Sequence, residues 1–104
     1  MTKKVLQLEV DIYKMPEQLP DLKCKSGIYF LVSNGVIDYI GKSVSINNRL
    51  MGHHVFDRNK HDEVWVYPIH HTERYKQKTI EYQLIRALRP ASNTHGVPKL
   101  PEYY

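Results

Sequence analysis

The chain has 104 residues, enough for a single small domain with one compact core. Lys and Arg number 15 against 11 Asp and Glu, a formal net charge of +4, which suits an anionic partner such as nucleic acid without demanding one. The lone Cys24 excludes an internal disulfide, no apolar run approaches transmembrane length, and Val5-Leu6-Gln7-Leu8-Glu9 is too short and polar for a signal peptide, so a soluble, cytoplasmic protein with no membrane role is expected.

Val5 to Ile12 alternates weakly and predicts an edge strand. Pro16 and Pro20 break the segment that follows, up to Lys25. Ile28 to Val32 and Val36 to Ile40 then read as two strands of a tight hairpin, joined through Ser33-Asn34-Gly35. Its turn admits two registers. A two-residue Asn34-Gly35 turn pairs Ser33 with Val36 and puts Tyr29 and Tyr39 on opposite faces. A three-residue loop pairs Val32 with Val36 and sets Tyr29 directly across from Tyr39. The second gathers Ile28, Phe30, Val32, Val36 and Ile40 on the other face, with Asp38 the one polar exception, and that segregation favours it. By itself the tyrosine pair reads as an ordinary cross-strand aromatic contact. Eight tyrosines against two phenylalanines do, however, suit a half-wet surface.

After Gly41, Ser43 and Ser45 offer hydroxyl caps to a short helix from about Ile46 to Val55, on which Arg49 and His53 share a face. Asp57 to Asp62 is a polar loop. Glu63 to Ile69 is a strand that ends near Pro68 and is expected to complete a three-stranded antiparallel sheet with the hairpin. The longest helix begins at a Thr72 cap and stops at Arg89, before Pro90. Gln77, Ile80, Glu81, Leu84, Ile85 and Leu88 form one stripe on it, so a carboxylate stands inside the apolar face. Three explanations compete for Glu81: it reaches water at the rim, it pairs with a cation, or it binds a metal in a cleft. The tail from Ala91 to Tyr104 holds Gly96, Pro98 and Pro101 and reads as irregular. Structural zinc is not expected, because the pairs His53-His54 and His70-His71 are adjacent residues whose side chains diverge, and Cys24 has no cysteine neighbour.

Gly27-Ile28-Tyr29 and Tyr39-Ile40-Gly41, nine residues apart, resemble the two signatures of the GIY-YIG nuclease family. The resemblance extends in order to Arg49, eight residues after Gly41, to His53, to Glu81 on the later helix, and to Asn93 beyond the proline-containing helix end. It covers about residues 26–93 of a single domain spanning 1–104. It implies an α+β domain with a three-stranded antiparallel sheet flanked by helices. The implied activity is divalent-metal-dependent hydrolysis of DNA phosphodiester bonds.

Roles follow from the same resemblance. Glu81 is the ligand of one Mg²⁺ or Mn²⁺ ion, for which a carboxylate is a suitably hard donor. Arg49 offers a forked cation to the phosphate. Tyr29 activates water, with Lys42 or Arg49 supplying the positive charge that a phenol near pKa ~10 needs. Tyr39 holds phosphate or water, and His53 shares in the proton transfer. Gly41, Lys42, His61 and Asn93 are expected on the substrate side, with Asn93 also fastening the tail. DNA is the expected partner, with a homodimer or a second protein supplying any specificity. Two rival readings are a DNA-binding module of the same fold without turnover and a small protein-interaction domain.

Overall fold

The computed structural model describes residues 2–15, 17–18, 25–52 and 56–93. Five strands, β1 (Thr2–Val5), β2 (Leu8–Lys14), β3 (Gly27–Ser33), β4 (Val36–Ser43) and β5 (Glu63–Pro68), form one antiparallel sheet in the order β1-β2-β5-β3-β4. Helix α1 (Ile46–Gly52) follows β4. Helix α2 (Arg74–Leu88) follows β5, and a 3₁₀ turn (Ala91–Asn93) ends the described chain. Among the described residues, no helix is long and apolar enough to cross a membrane.

The α+β architecture agrees with the sequence reading, but the sheet has five strands rather than three. The weakly alternating N-terminal segment is a hairpin, not one edge strand. Leu6 and Gln7 turn it with φ of 47° and 67°, so that Val5 pairs with Leu8. Neither residue carries the side chain expected where φ is positive, which left the turn silent in the sequence.

β3 is the central element. Ile28, Tyr29, Phe30, Leu31 and Val32 are all fully buried, because both faces of the strand are covered. At about 1.5–3 kcal/mol of transfer free energy for each such side chain, this strand holds the largest concentrated share of the core. On one face, Ile28, Phe30, Val32, Ile40 and Trp65 pack with Leu84 and Ile85 of α2. On the other, Tyr29, Leu31, Val64 and Val66 pack with Ile46 and Leu50 of α1. Gly27 opens β3 at φ 143°, where a Cβ would strike the Tyr67 carbonyl oxygen and come within 2.7 Å of the Ile69 nitrogen. The first signature glycine is therefore required for strand pairing before any question of substrate arises.

The hairpin follows neither expected register along its length. Asn34 (φ 52°) and Gly35 (φ 80°) make the two-residue turn that pairs Ser33 with Val36. The register then shifts between Leu31 and Val32: Val32 faces Ile37, but Leu31 faces Tyr39. Asp38 is the extra residue of a β-bulge. The bulge moves Tyr39 onto the face of Tyr29, so the shared face survives while the direct pairing does not. Tyr29 lies opposite Gly41 instead. Val36, expected in the core, is 67% exposed, and the neighbouring Ile37 packs in its place.

Asp38 is held where it bulges. Its Oδ2 accepts from His61 Nε2 at 2.8 Å and Ser92 Oγ at 2.9 Å, with Lys60 Nζ at 3.3 Å. Burial alone would raise its pKa, but hydrogen bonds from His61, Ser92 and Lys60 outweigh that and hold it below the usual carboxylate range. A depressed acid contributes stability that is present above its unfolded pKa, near ~4, and is lost as pH falls through the folded value. Asp38→Asn is accordingly expected to cost about 1–3 kcal/mol at pH 7. Urea melts should show that gap narrowing below about pH 4, since wild type loses the same contribution there.

Helix α2 starts one residue later than expected. Glu73 is its N-cap and makes no side-chain cap bond, while the Thr72 hydroxyl lies 2.8 Å from His70 Nδ1. The anchor is Gln77, whose Nε2 donates to Ser26 Oγ at 3.0 Å and to the Ile69 carbonyl at 3.1 Å. Arg89 ends the helix in the left-handed conformation (φ 46°), its N–H bonded to the Ile85 carbonyl at 2.8 Å. α1 is described only to Gly52, so the part of its expected span from 53 to 55 lies outside the described residues.

Candidate active site

β4 is an edge strand, and the candidate site wraps around its free edge. Tyr39, Gly41 and Ser43 alternate onto the α1 face, while Ile40 and Lys42 fall on the α2 face. Tyr29 and Tyr39 lie side by side, with ring centroids 6.1 Å apart and planes tilted by 39°. The Tyr29 ring lies over Gly41: a Cβ there would sit 2.5 Å from both Cζ and Oη of the phenol. Only a glycine at this position leaves the ring its seat.

The Arg49 guanidinium on α1 lies near enough to act on the Tyr29 phenol, and Tyr29 and Tyr39 act on each other. Glu81 approaches from α2, near enough for its charge to act on both phenols. A guanidinium, two phenols and a carboxylate from four separate elements thus form one electrostatically coupled group. Lys42 is the fifth member. Its positive charge acts on Glu81, and of the two cations expected to support the Tyr29 phenol, Arg49 acts on it.

Each of the three acids is pushed toward its neutral form. Burial raises Tyr29 far above the ordinary phenol range, helped by Tyr39 and Glu81 and opposed by Arg49. Burial, then Glu81, raises Tyr39 against the influence of Arg49 and Tyr29. Burial raises Glu81 against Lys42 and Arg49. Among the described residues, Glu81 is in no ion pair and accepts no hydrogen bond. Of the three explanations for this acid in an apolar stripe, a fixed cation partner is thus the one the geometry does not supply. A half-buried carboxylate with spare lone pairs, beside phenol oxygens, is a donor set that fits a hard divalent cation. No group of three or more His, Cys, Asp or Glu able to hold a metal occurs among the described residues, so most ligands of such an ion would be water or substrate oxygen.

The remaining expected residues are placed otherwise. His53 lies outside the described residues. His61 is 1% exposed with both ring nitrogens engaged: Nε2 donates to Asp38, and Nδ1 accepts the Asp57 N–H at 3.1 Å. Asn93 is also buried. Its Oδ1 accepts the Ile40 N–H at 2.7 Å and its Nδ2 donates to the Ile40 carbonyl at 2.9 Å. It imitates a neighbouring strand along the free edge of β4 and so fixes the middle residue of the second signature. In both residues the groups expected to face substrate are committed to the fold.

Ser43 and Ser45 are expected only as helix caps, and the sequence does not single out Asn48. With Val44, Arg49 and Gly52 they line a hollow of about 370 Å³ beside the coupled group. Nothing in their order announced it, because the strand end and the helix close on each other only in three dimensions.

No family model matches the chain, and no curated protein matches it. Solved structures do. The GIY-YIG N-terminal endonuclease domain of UvrC from Thermotoga maritima, bound to its catalytic divalent cation, magnesium, superposes with a TM-score of 0.57 at 22% identity, over 72% of this chain and 90% of that one. A point mutant of the same domain, bound to its catalytic divalent cation, gives 0.56 at 25% identity over 74% and 96%. The fold of this chain is the GIY-YIG domain fold.

Proposed function

We propose that this chain, built on the GIY-YIG fold, is a divalent-metal-dependent endonuclease acting on DNA, with Glu81 as its protein ligand for one Mg²⁺ or Mn²⁺ ion. The observation that carries the reading is the convergence of Tyr29, Tyr39, Arg49 and Glu81 around the free edge of β4. The similar UvrC domains, bound to a catalytic divalent cation, support it.

A bound divalent ion would polarise the phosphoryl group and favour a hydroxide-like water. The side chains supply the rest. Arg49 presents a forked cation to the non-bridging oxygens, where charge accumulates as the bond breaks. Tyr29, electrostatically coupled to Arg49 and Tyr39, offers the phenol oxygen that would take a proton from the attacking water. Its raised pKa means that the phenol is neutral at pH 7 in the protein alone. An ion held by Glu81 would supply positive charge that favours loss of that proton. Lys42 offsets part of the carboxylate's charge. None of these contacts reads a base. Sequence preference would have to come from a second copy, a partner protein or DNA shape.

Incubation with supercoiled plasmid and Mg²⁺ tests this reading. Arg49 is exposed and lines no core cluster, so Arg49→Ala is expected to keep a cooperative thermal unfolding transition, and hence the fold, while lowering the nicking rate by about 10²–10³-fold. Nicking at the wild-type rate would remove Arg49 from the mechanism. Retention of plasmid by the wild-type protein without strand breaks would support a binding module instead.

A further inference from the structure

The hollow lined by Ser43, Val44, Ser45, Asn48, Arg49 and Gly52 is unused by the chemistry above, apart from its shared arginine. We infer that it is a subsite for the phosphodiester next to the scissile one on the cleaved strand. This rests on the endonuclease reading and adds a second anchoring point to it.

The lining carries no carboxylate, so it offers an anion nothing to repel it and a metal ion little to hold it. Its polar groups are two hydroxyls, an amide and a guanidinium. Ser43 Oγ accepts the Ser45 N–H at 3.0 Å, so its own hydrogen remains to donate into the hollow. Asn48 is exposed and brings two further N–H donors. Val44, 52% exposed, adds an apolar surface suited to a sugar. At Gly52 a Cβ would meet nothing within 4 Å, so this wall is open for backbone to lie against. The hollow is shallow and open to solvent, so a strand backbone can be laid across it.

Arg49 ties the two sites together. It lines the hollow and its charge also acts on Tyr29, and its five N–H donors leave some for each site. A strand held by its neighbouring phosphate would be fixed in register, with the next phosphate delivered to the phenols and Glu81. The donors are mostly neutral and meet phosphate oxygens, so the subsite positions the strand without reading its sequence.

Duplexes each carrying one uncharged methylphosphonate, at successive positions either side of the cut, test the assignment with Asn48→Ala and Asn48→Asp. On unmodified DNA, Asn48→Ala is expected to raise KM by roughly tenfold with kcat within a few-fold, and Asn48→Asp to raise it further. One methylphosphonate adjacent to the cut should slow wild type by roughly tenfold and slow Asn48→Ala far less, since the lost contact is shared. Equal sensitivity of wild type and Asn48→Ala at every position overturns the subsite while leaving the endonuclease standing. Failure of wild type to cut the unmodified duplex overturns both. Because Asn48 is exposed, unchanged melting temperatures should accompany either variant.

Discussion

Glu81→Gln is expected to abolish nicking, by at least about 10³-fold, while raising the melting temperature of the metal-free protein at pH 7–8. The two effects share one cause. Burial raises the pKa of Glu81 above its ordinary 4.5, against the pull of Lys42 and Arg49. An acid whose folded pKa lies above its unfolded value costs stability when ionised. That cost is fully present above the folded pKa and disappears as pH falls toward the unfolded one. The thermal gain of the glutamine variant should therefore shrink on acidification toward pH 4. Wild type should also gain stability when Mg²⁺ is added, because an ion that binds only the folded protein shifts the equilibrium. The variant should not. A purely structural glutamate at the rim would give the opposite pattern, with Gln neutral or destabilising and Mg²⁺ without effect on either protein.

The second large effect is expected at Gly41. Its backbone carries no positive φ, so alanine is acceptable there on conformational grounds. The obstacle is the Tyr29 ring, into which the new methyl would project at 2.5 Å from Cζ and Oη. Tyr29 is fully buried among Leu31, Ile46, Leu50 and Val66 and cannot swing freely. Overpacking of this kind costs about 1–3 kcal/mol, to be read in urea melts. The larger consequence is chemical. A phenol displaced by about 1 Å from its place between Arg49 and Tyr39 should lower kcat by about 10²-fold or more. Tyr29→Phe removes the same hydroxyl, so the losses of Gly41→Ala and Tyr29→Phe should be far from additive in the double variant. Fully additive losses would mean that Gly41 acts on substrate directly and not through the ring.

These effects explain which features were legible in the sequence. The helix acid could be read because it is a local violation of pattern, a charge inside an apolar stripe, whereas the two tripeptides could be read only through their resemblance to a known family's signatures. The α+β class followed from plain periodicity. The five-stranded sheet did not, because Leu6 and Gln7 make a left-handed turn without the residues that usually permit one. The hairpin register was out of reach for a different reason. Its bulge at Asp38 is fixed by His61, Ser92 and Lys60, which are distant in sequence and meet Asp38 only in the fold. The same distance hid the duties of His61 and Asn93. Both are polar residues in the right order for a site, and both spend their hydrogen bonds holding β4. What the sequence showed as a row of functional residues is, in space, an inner group around Tyr29 and an outer frame that shapes the strand beneath it.

The dependence of plasmid nicking on metal concentration is the most direct test. Wild type should convert supercoiled plasmid to nicked circles with Mg²⁺ or Mn²⁺, at a rate that saturates as for a single ion and that EDTA abolishes. Nicking that persists in EDTA, or no nicking with either ion, would contradict metal-dependent cleavage.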